Sequence, residues 1–246
     1  NREWLNVLAI FAPVGLADNI QIRTASGLER TKLSRLMDKF DALGSGLPPV
    51  LRLYDHTIPR ACGYRGRHPN IYFLGETGAA LLRANGFPDA KVSNLQSDHA
   101  IAHALSMLDI YLSGLRYGLE IVTDRVIPFA GNKAIRPDHQ VRLPDGSLVF
   151  VEVEQVARKE LVPRIHSSLQ NKQDFFSDPA SEGISKDVRM VLNVKPGQAF
   201  RRTIALWREV MHSVAEASGH PLAFRVYAIS LIEFLHDPEW GQDDVE

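Results

Sequence analysis

The chain has little cysteine and no long apolar run. Cys62 is the only cysteine among 246 residues, so an internal disulfide is excluded. No apolar stretch approaches the roughly 20 residues needed to span a bilayer, and the chain does not open like a signal peptide. Neither a glycine-rich phosphate-binding loop nor a Gly-x-Ser-x-Gly motif is present. These absences predict a cytoplasmic protein with no membrane partner, outside the common nucleotide-binding and serine-hydrolase classes.

The net charge is small, but the charges are unevenly distributed. Hydrophobic residues make up 45% of the chain and charged residues 23%, as expected for a globular protein, and the formal net charge is only −1. Residues 1–75 carry ten Lys or Arg against six Asp or Glu, whereas residues 229–246 carry six acids and no Lys or Arg. We therefore expect any affinity for nucleic acid in the first third of the chain, and a solvated acidic tail over residues 233–246.

The first third of the chain predicts three helices in close succession. Apolar residues from Trp4 onward form one helical stripe that ends near Pro13. Asp18 is a suitable N-cap for a short second helix to about Thr24. In residues 28–43 the apolar positions recur at three and four residues: Leu33, Leu36, Met37, Phe40 and Leu43. The opposite face of this third helix is basic, with Arg30, Lys32, Arg35 and Lys39. This order is typical of a helix-turn-helix, whose last helix enters the major groove of DNA.

A wing is predicted directly after the third helix. Two strand-like segments, residues 50–54 and 71–74, flank a loop rich in Arg, His, Gly and Pro. Four side chains of this loop are candidates for contacts to DNA phosphates or the minor groove: Arg60, Arg65, Arg67 and His68. Residues 1–86 are therefore interpreted as a winged helix-turn-helix domain that binds double-stranded DNA. The alternative is that Lys and Arg only solvate an exposed helix and loop.

A second, α/β domain is predicted over residues 95–232, after a polar linker at 87–94. A long helix at 97–117 precedes strand-like runs at 120–127, 134–143 and 148–154. A helix begins near Pro163, a residue favoured at the first helical position. A strand at 188–194, a helix containing Trp207 and a strand at 223–230 complete the order αβββαβαβ.

The second and third of these strands carry the candidate chemistry. The segment 143–147 suits a three-residue hairpin loop with Gly146 in the left-handed conformation. In that register Asp138 stands opposite Glu152 on one face, and Glu154 shares the face because side chains alternate along a strand. Opposed carboxylates repel each other unless a positive charge lies between them. The pattern therefore predicts an Mg²⁺ or Mn²⁺ site at Asp138 and Glu152.

Each of these acids also has a structural alternative. In the same register Glu154 opposes Arg136, so an ion pair between them is possible. Asp138 is also placed to cap the turn after Pro137. A two-residue hairpin loop would put Asp138 and Glu152 on opposite faces of the sheet.

Residues 137–138 and 152–154, with the αβββαβ order, resemble the PD-(D/E)xK nuclease fold. The chain from 1 to 230 resembles the replication-relaxation proteins of plasmids and integrated mobile elements, through its segments IYFLGETGAALL, DHAIAHAL and RPDHQVRLPDGSLVFVEVEQ. The nuclease resemblance implies a catalytic set of Asp138, Glu152 and Glu154. The family resemblance implies a role in replication, relaxation or mobilisation of such an element.

The sequence departs from the nuclease pattern at the lysine. The pattern expects Lys two residues after the second acid, where this chain has Glu154. Lys172 is the best replacement, because its spacing from Ile165 and Leu169 turns it toward the sheet. Lys159 is nearer in sequence but falls in a predicted loop. In the alternative, Lys172 extends its ammonium group to water from the edge of the buried stripe.

Three functions follow from these observations. The first is a DNA-binding accessory or regulatory protein of a mobile element. The second is a metal-dependent endodeoxyribonuclease that uses the three acids. The third is a transcriptional repressor whose second domain serves as a non-catalytic homodimerisation module. The missing lysine favours the first.

Overall fold

The computed structural model describes residues 2–43, 48–54, 69–155, 159–194 and 196–236, and side chains 41–43 and 159 are not described within those ranges. The fold is mixed α/β and divides into two compact units, the first reaching Leu112 and the second beginning at Ser113. None of the helices in these ranges is long and apolar enough to cross a membrane.

The first unit combines helices with a small sheet. Its elements are α1 (Arg2–Ala9), β1 (Leu16–Asp18), α2 (Asn19–Ser26), α3 (Arg30–Leu43), β2 (Leu51–Leu53), β3 (Ile71–Leu74), α4 (Glu76–Ala84) and most of α5 (Asp98–Arg116). The three predicted helices and the two predicted strands are confirmed. Strand β1 was not predicted, because three buried residues are too few to show an alternating pattern.

The small sheet has the strand order β1-β3-β2, and both pairings are antiparallel. Leu16 pairs with Phe73 on one side of β3, and Leu51 pairs with Leu74 on the other. The chain between β2 and β3 includes residues 55–68, which lie outside the described residues.

Helix α2 begins at a complete capping box. The Asp18 side chain accepts hydrogen bonds from the backbone N–H groups of Ile20 and Gln21, and the Gln21 side chain accepts one from the backbone N–H of Asp18. This satisfies amide groups that the first turn of a helix leaves without partners. Helix α3 then buries the predicted stripe of Leu33, Leu36, Met37 and Phe40.

The division between the units lies further along the chain than the predicted linker at residues 87–94. Helix α5 buries Ile101, Leu105 and Leu108 in the apolar clusters of the first unit. The Gln21 side-chain amide also donates to the Leu105 carbonyl at 2.8 Å and to Asp109 Oδ1 at 2.7 Å. The helix predicted to open the second domain therefore packs with the first unit for most of its length, because its apolar seam faces that core.

The second unit is built on a five-stranded sheet. Its remaining elements are β4 (Glu120–Thr123), β5 (Ile127–Phe129), β6 (Lys133–Ile135), β7 (His139–Arg142), β8 (Leu148–Glu154), α6 (Val162–Phe176), β9 (Ile184–Leu192), α7 (Gln198–Ser218), β10 (Arg225–Ser230) and α8 (Leu231–His236). The strand order is β10-β9-β8-β7-β4, with β8, β9 and β10 parallel and the β8–β7 and β7–β4 pairings antiparallel. The main sheet and its helices retain the predicted order, while β5 and β6 form a separate two-stranded ribbon and α8 is a short last helix.

Two predictions about these strands are wrong. The strand predicted over 120–127 ends at Thr123, because Asp124 adopts a left-handed φ of 59°, and β5 begins only at Ile127. The segment 134–143 is not continuous, because it divides into β6, which forms a separate ribbon with β5, and β7 in the main sheet. The break contains Arg136, Pro137 and Asp138, which were predicted to lie within a strand. Pro137 has no N–H to donate to a neighbouring strand, so a break here is expected on physical grounds.

One face of the large sheet carries the main core of the second unit. Phe150 packs with Phe175 and Phe176 of α6, and Trp207 of α7 belongs to the same buried cluster. Because side chains alternate along β8, Glu152 and Glu154 project to the same side as Phe150. The sheet thus places two acids on the face that α6 covers.

Candidate functional sites

The exposed side of α3 is the first candidate site. Arg30, Arg35 and Lys39 are exposed, as predicted. Lys32 is also exposed but forms an ion pair with Glu3 of α1. The charge of Lys32 is therefore partly balanced by Glu3. The cations that α3 offers to a ligand are chiefly Arg30, Arg35 and Lys39. The predicted loop residues Arg60, Arg65, Arg67 and His68 lie outside the described residues.

The hairpin between β7 and β8 has the predicted register. His139 pairs with Val151 and Arg142 with Leu148, while the Leu143 amide donates to the Ser147 carbonyl at 2.9 Å. Gly146 adopts a φ of 86°, the left-handed conformation that the loop requires. The three-residue loop is confirmed, so the alternative two-residue loop is excluded.

Asp138 lies immediately before β7, at the point where the ladder with β8 ends. Its Oδ2 accepts a hydrogen bond of 2.7 Å from the backbone N–H of Val153, which lies beyond the last β7–β8 pair. Its backbone carbonyl accepts a 2.9 Å bond from the amide of Asp124. The Asp138 carboxylate therefore caps the end of the β7–β8 ladder through the Val153 amide. The hydrogen bonds described for Asp138 include none that would cap the turn after Pro137.

Glu152 is paired with a buried lysine from α6. The Lys172 Nζ lies 3.0 Å from Glu152 Oε1, with side-chain exposures of 6% and 13%, and the same Nζ donates to Ser168 Oγ at 2.9 Å. The alternative in which the Lys172 ammonium reaches water is wrong. A buried ammonium group requires a negative partner, and Glu152 supplies it. The helix thus brings a lysine to the second acid of the hairpin.

Arg136 belongs to the same end of the hairpin. It forms an ion pair with Asp124, which has a φ of 59°, in the chain after β4. The hydrogen bond to Asp124 raises the pKa of Arg136, burial opposes the rise, and the negative charges of Asp124 and Asp138 add to it. The ion pair described for Arg136 is therefore with Asp124 and not with Glu154.

Glu154 is half-buried at the end of β8. Its backbone carbonyl accepts a 2.7 Å hydrogen bond from the amide of Asn193. Within the described ranges, no three His, Cys, Asp or Glu side chains are grouped closely enough to hold a metal ion. The convergence of Asp138, Glu152 and Glu154 is therefore not seen, and a metal ion at the first two of them stays a prediction.

Sequence reasoning missed two members of this site. Ser168 precedes Lys172 by four residues, which places both on one face of α6, and that spacing was a usable signal. Asp124 had no comparable signal, because its approach to Arg136 depends on the left-handed turn after β4. Lys159, the other candidate lysine, begins a short 3-10 helix before α6, and its side chain is not described.

Comparison of the chain with protein-family models, with curated proteins and with solved structures gave no match. The resemblances named above therefore rest on the short motifs that carry them.

Proposed function

We propose that the protein binds double-stranded DNA through a winged helix-turn-helix formed by its first unit, as an accessory or regulatory protein. The observation that carries the proposal is the order α1–β1–α2–α3–β2–β3 with sheet order β1-β3-β2. In a helix-turn-helix of this order the last helix enters the major groove. That helix is α3, whose exposed side is basic.

The geometry of α3 supports this role. Its apolar stripe is buried in the first unit between Leu33 and Phe40, and the charged residues on the opposite side are exposed from Arg30 to Lys39. Exposed Lys and Arg on such a face neutralise phosphates and release counterions, which is the source of nearly all sequence-independent affinity for DNA. Replication, relaxation or mobilisation of a mobile element is proposed from the family resemblance alone.

The test compares duplex binding at several salt concentrations. The Arg35→Ala, Lys39→Ala variant is expected to bind duplex DNA more weakly and to lower the log-log salt slope by roughly 0.9 for each phosphate that is no longer neutralised. Arg83→Ala is the matched control, because it removes an exposed cation from α4 of the same unit. An equal slope for the wild type and the double variant would contradict the assignment of α3.

A second candidate, an endonuclease dependent on Mg²⁺ or Mn²⁺, is favoured by the Lys172–Glu152 pair beside Asp138. Magnesium sites in enzymes often use only one or two carboxylates together with substrate phosphates, so Asp138 and Glu152 suit the donor chemistry. Both carboxylates already have protein partners, however, and a cation would have to share them. When bound, such an ion would activate water and neutralise a phosphate.

A nicking assay on supercoiled plasmid measures cleavage independently of DNA binding. If the wild type nicks plasmid in Mg²⁺ or Mn²⁺, Asp138→Ala and Glu152→Ala are each expected to abolish nicking while duplex affinity stays nearly unchanged. Lys172→Ala tests whether this lysine replaces the missing one. Nicking that survives in the Asp138→Ala, Glu152→Ala double variant would reject this site. Absence of nicking by the wild type in both metals would favour the regulatory function.

A further inference from the structure

The Lys172 ammonium group is held by two partners. Its Nζ lies 3.0 Å from Glu152 Oε1 of β8 and 2.9 Å from Ser168 Oγ, one turn earlier in α6. An ammonium group has donors and no acceptor, so the Ser168 oxygen must accept this hydrogen bond. The lysine side chain is only 6% exposed, and the positive charge beside Glu152 is therefore fixed away from water.

This charge lies where a metal ion of the hairpin would have to bind. The amide of Val153, the residue after Glu152 in β8, donates to Asp138 Oδ2 at 2.7 Å. Asp138 and Glu152 are therefore at the same end of the hairpin. A divalent cation bound to the Glu152 carboxylate has metal–oxygen distances of about 2.0–2.6 Å, which brings it within a few ångströms of the Lys172 nitrogen.

A divalent cation and the Lys172 ammonium group repel each other at such a separation. Buried charges are screened much less by salt and water than exposed ones, and the Glu152 side chain is only 13% exposed. Mg²⁺ also gives up its hydration water reluctantly, and a largely buried carboxylate leaves little room for that water. Occupation of Glu152 by the ammonium group and occupation by a metal ion therefore exclude each other.

An exposed ion pair of the same unit shows the difference. Lys133 Nζ contacts Asp174 Oδ2 at 2.7 Å, but the two side chains are 56% and 33% exposed. Such a lysine turns into water at little cost when another cation approaches its acid. Lys172 leaves Glu152 only by giving up its contact with Ser168 and moving its charge out of a buried position.

We propose that Lys172 blocks Glu152 against divalent cations, so that Mg²⁺ or Mn²⁺ binds at Asp138 and Glu152 only after the ammonium group has left. Lys172 is thus an autoinhibitory residue that α6 supplies to the second unit. The identity of the cation rests on the second candidate function. The block itself rests on the contact between Lys172 and Glu152.

The test is a calorimetric titration of the full chain with MnCl₂. Lys172→Gln removes the charge and keeps a polar side chain with N–H donors. It is expected to bind Mn²⁺ at least about fivefold more tightly than the wild type, the lower end of typical couplings between bound groups. Lys133→Gln is the matched control, because it removes an exposed lysine that pairs with an acid of α6, and its affinity should equal that of the wild type. Equal affinities in the wild type and Lys172→Gln would overturn the proposal.

A second substitution locates the cation. In the Lys172→Gln background, Asp138→Asn keeps an oxygen that accepts from the Val153 amide but removes one negative charge. The gain in Mn²⁺ affinity should be lost in this double variant. A gain that persists there would place the cation elsewhere and contradict its assignment to Asp138 and Glu152.

Stability gives a readout that does not require a fully folded Lys172→Gln protein. A ligand that binds only the native state stabilises it, so Mn²⁺ should raise the urea midpoint of Lys172→Gln and restore the folding of any unfolded fraction. The wild type should not respond, because Lys172 already holds Glu152. A rise of the same size in the wild type would show that the lysine does not block the site.

These measurements are independent of nicking and of duplex binding. A gain in Mn²⁺ affinity in Lys172→Gln without nicking would reject only the endonuclease and keep the block. Nicking by the wild type with equal Mn²⁺ affinities would keep the endonuclease and reject only the block. Duplex affinity that depends on Arg35 and Lys39 tests the winged helix alone.

Discussion

The Lys172 ammonium nitrogen lies 3.0 Å from Glu152 Oε1, and the two side chains are only 6% and 13% exposed. The sequence predicted a positive charge beside Glu152, and the protein supplies one from its own chain. Transfer of both charges from water costs free energy that their attraction must offset. The pair is therefore sensitive to the removal of either member.

Stability measurements should show this sensitivity directly. Lys172→Met or Glu152→Met alone leaves a buried charge without its partner, and each is expected to lower the free energy of unfolding by about 3–5 kcal/mol. The Lys172→Met, Glu152→Met double variant should recover most of the loss, because no buried charge remains. Urea denaturation of the wild type and the three variants gives the coupling free energy between the Lys172 and Glu152 side chains. Single variants within about 0.5 kcal/mol of the wild type would show that the pair is solvated.

The capping box at α2 gives a second prediction. Asp18 is fully buried and receives two backbone hydrogen bonds, so Asp18→Ala is expected to cost about 1–2 kcal/mol of stability. Asp18→Asn should cost less, because its amide oxygen still accepts. Asp38→Ala, at an exposed position of α3, is the control with an expected change inside about 0.5 kcal/mol. An Asp18→Ala protein as stable as that control would contradict the role of the cap.

Acid should weaken the ion pair between Lys133 and Asp174. The hydrogen bond from Lys133 lowers the pKa of Asp174, burial opposes the shift, and Gln170 adds to it. The pKa of Asp174 is therefore lower in the folded protein than in the unfolded chain, where it is about 3.9. The ionised carboxylate stabilises the fold above that unfolded value, and this contribution is lost as the pH falls through the folded pKa.

Asp174→Asn is therefore expected to be less stable than the wild type at pH 7, with the difference disappearing in acid. Because the Lys133 and Asp174 side chains are 56% and 33% exposed, the cost should be only about a few tenths of a kcal/mol. Urea denaturation of the wild type and the variant measures the difference in their free energies of unfolding at neutral and at acidic pH. A difference that grows as the pH falls would have the wrong sign.

The loop between β2 and β3 is the basis of a prediction from sequence alone. Arg65→Ala with Arg67→Ala is expected to weaken duplex binding and to lower the salt slope by roughly 0.9 for each phosphate that these arginines neutralise in the wild type. Titrations of labelled duplex over a range of salt concentrations measure the slope. A slope equal to that of the wild type would remove the predicted wing from the interface.

Local patterns in the sequence determined much of this molecule. The apolar spacing in α3 indicated its buried face, Asp18 marked the start of α2, and the loop with Gly146 set the β7–β8 register. These features depend on residues close together in the chain, where helix and turn geometry decide the outcome. Lys172 was also placed on the inward side of its helix by spacing.

Tertiary structure decided the features that depend on distant residues. The seam of α5 was visible in the sequence, but only packing showed that it faces the core of the first unit. Asp138 was in the predicted register, yet the end of the ladder directed its carboxylate to the Val153 amide. Whether Lys172 reached solvent or Glu152 was likewise decided only by the packing of α6 on the sheet. Sequence periodicity specifies which side of an element is apolar, while the partner of each polar side chain depends on which segments the fold brings within hydrogen-bonding distance.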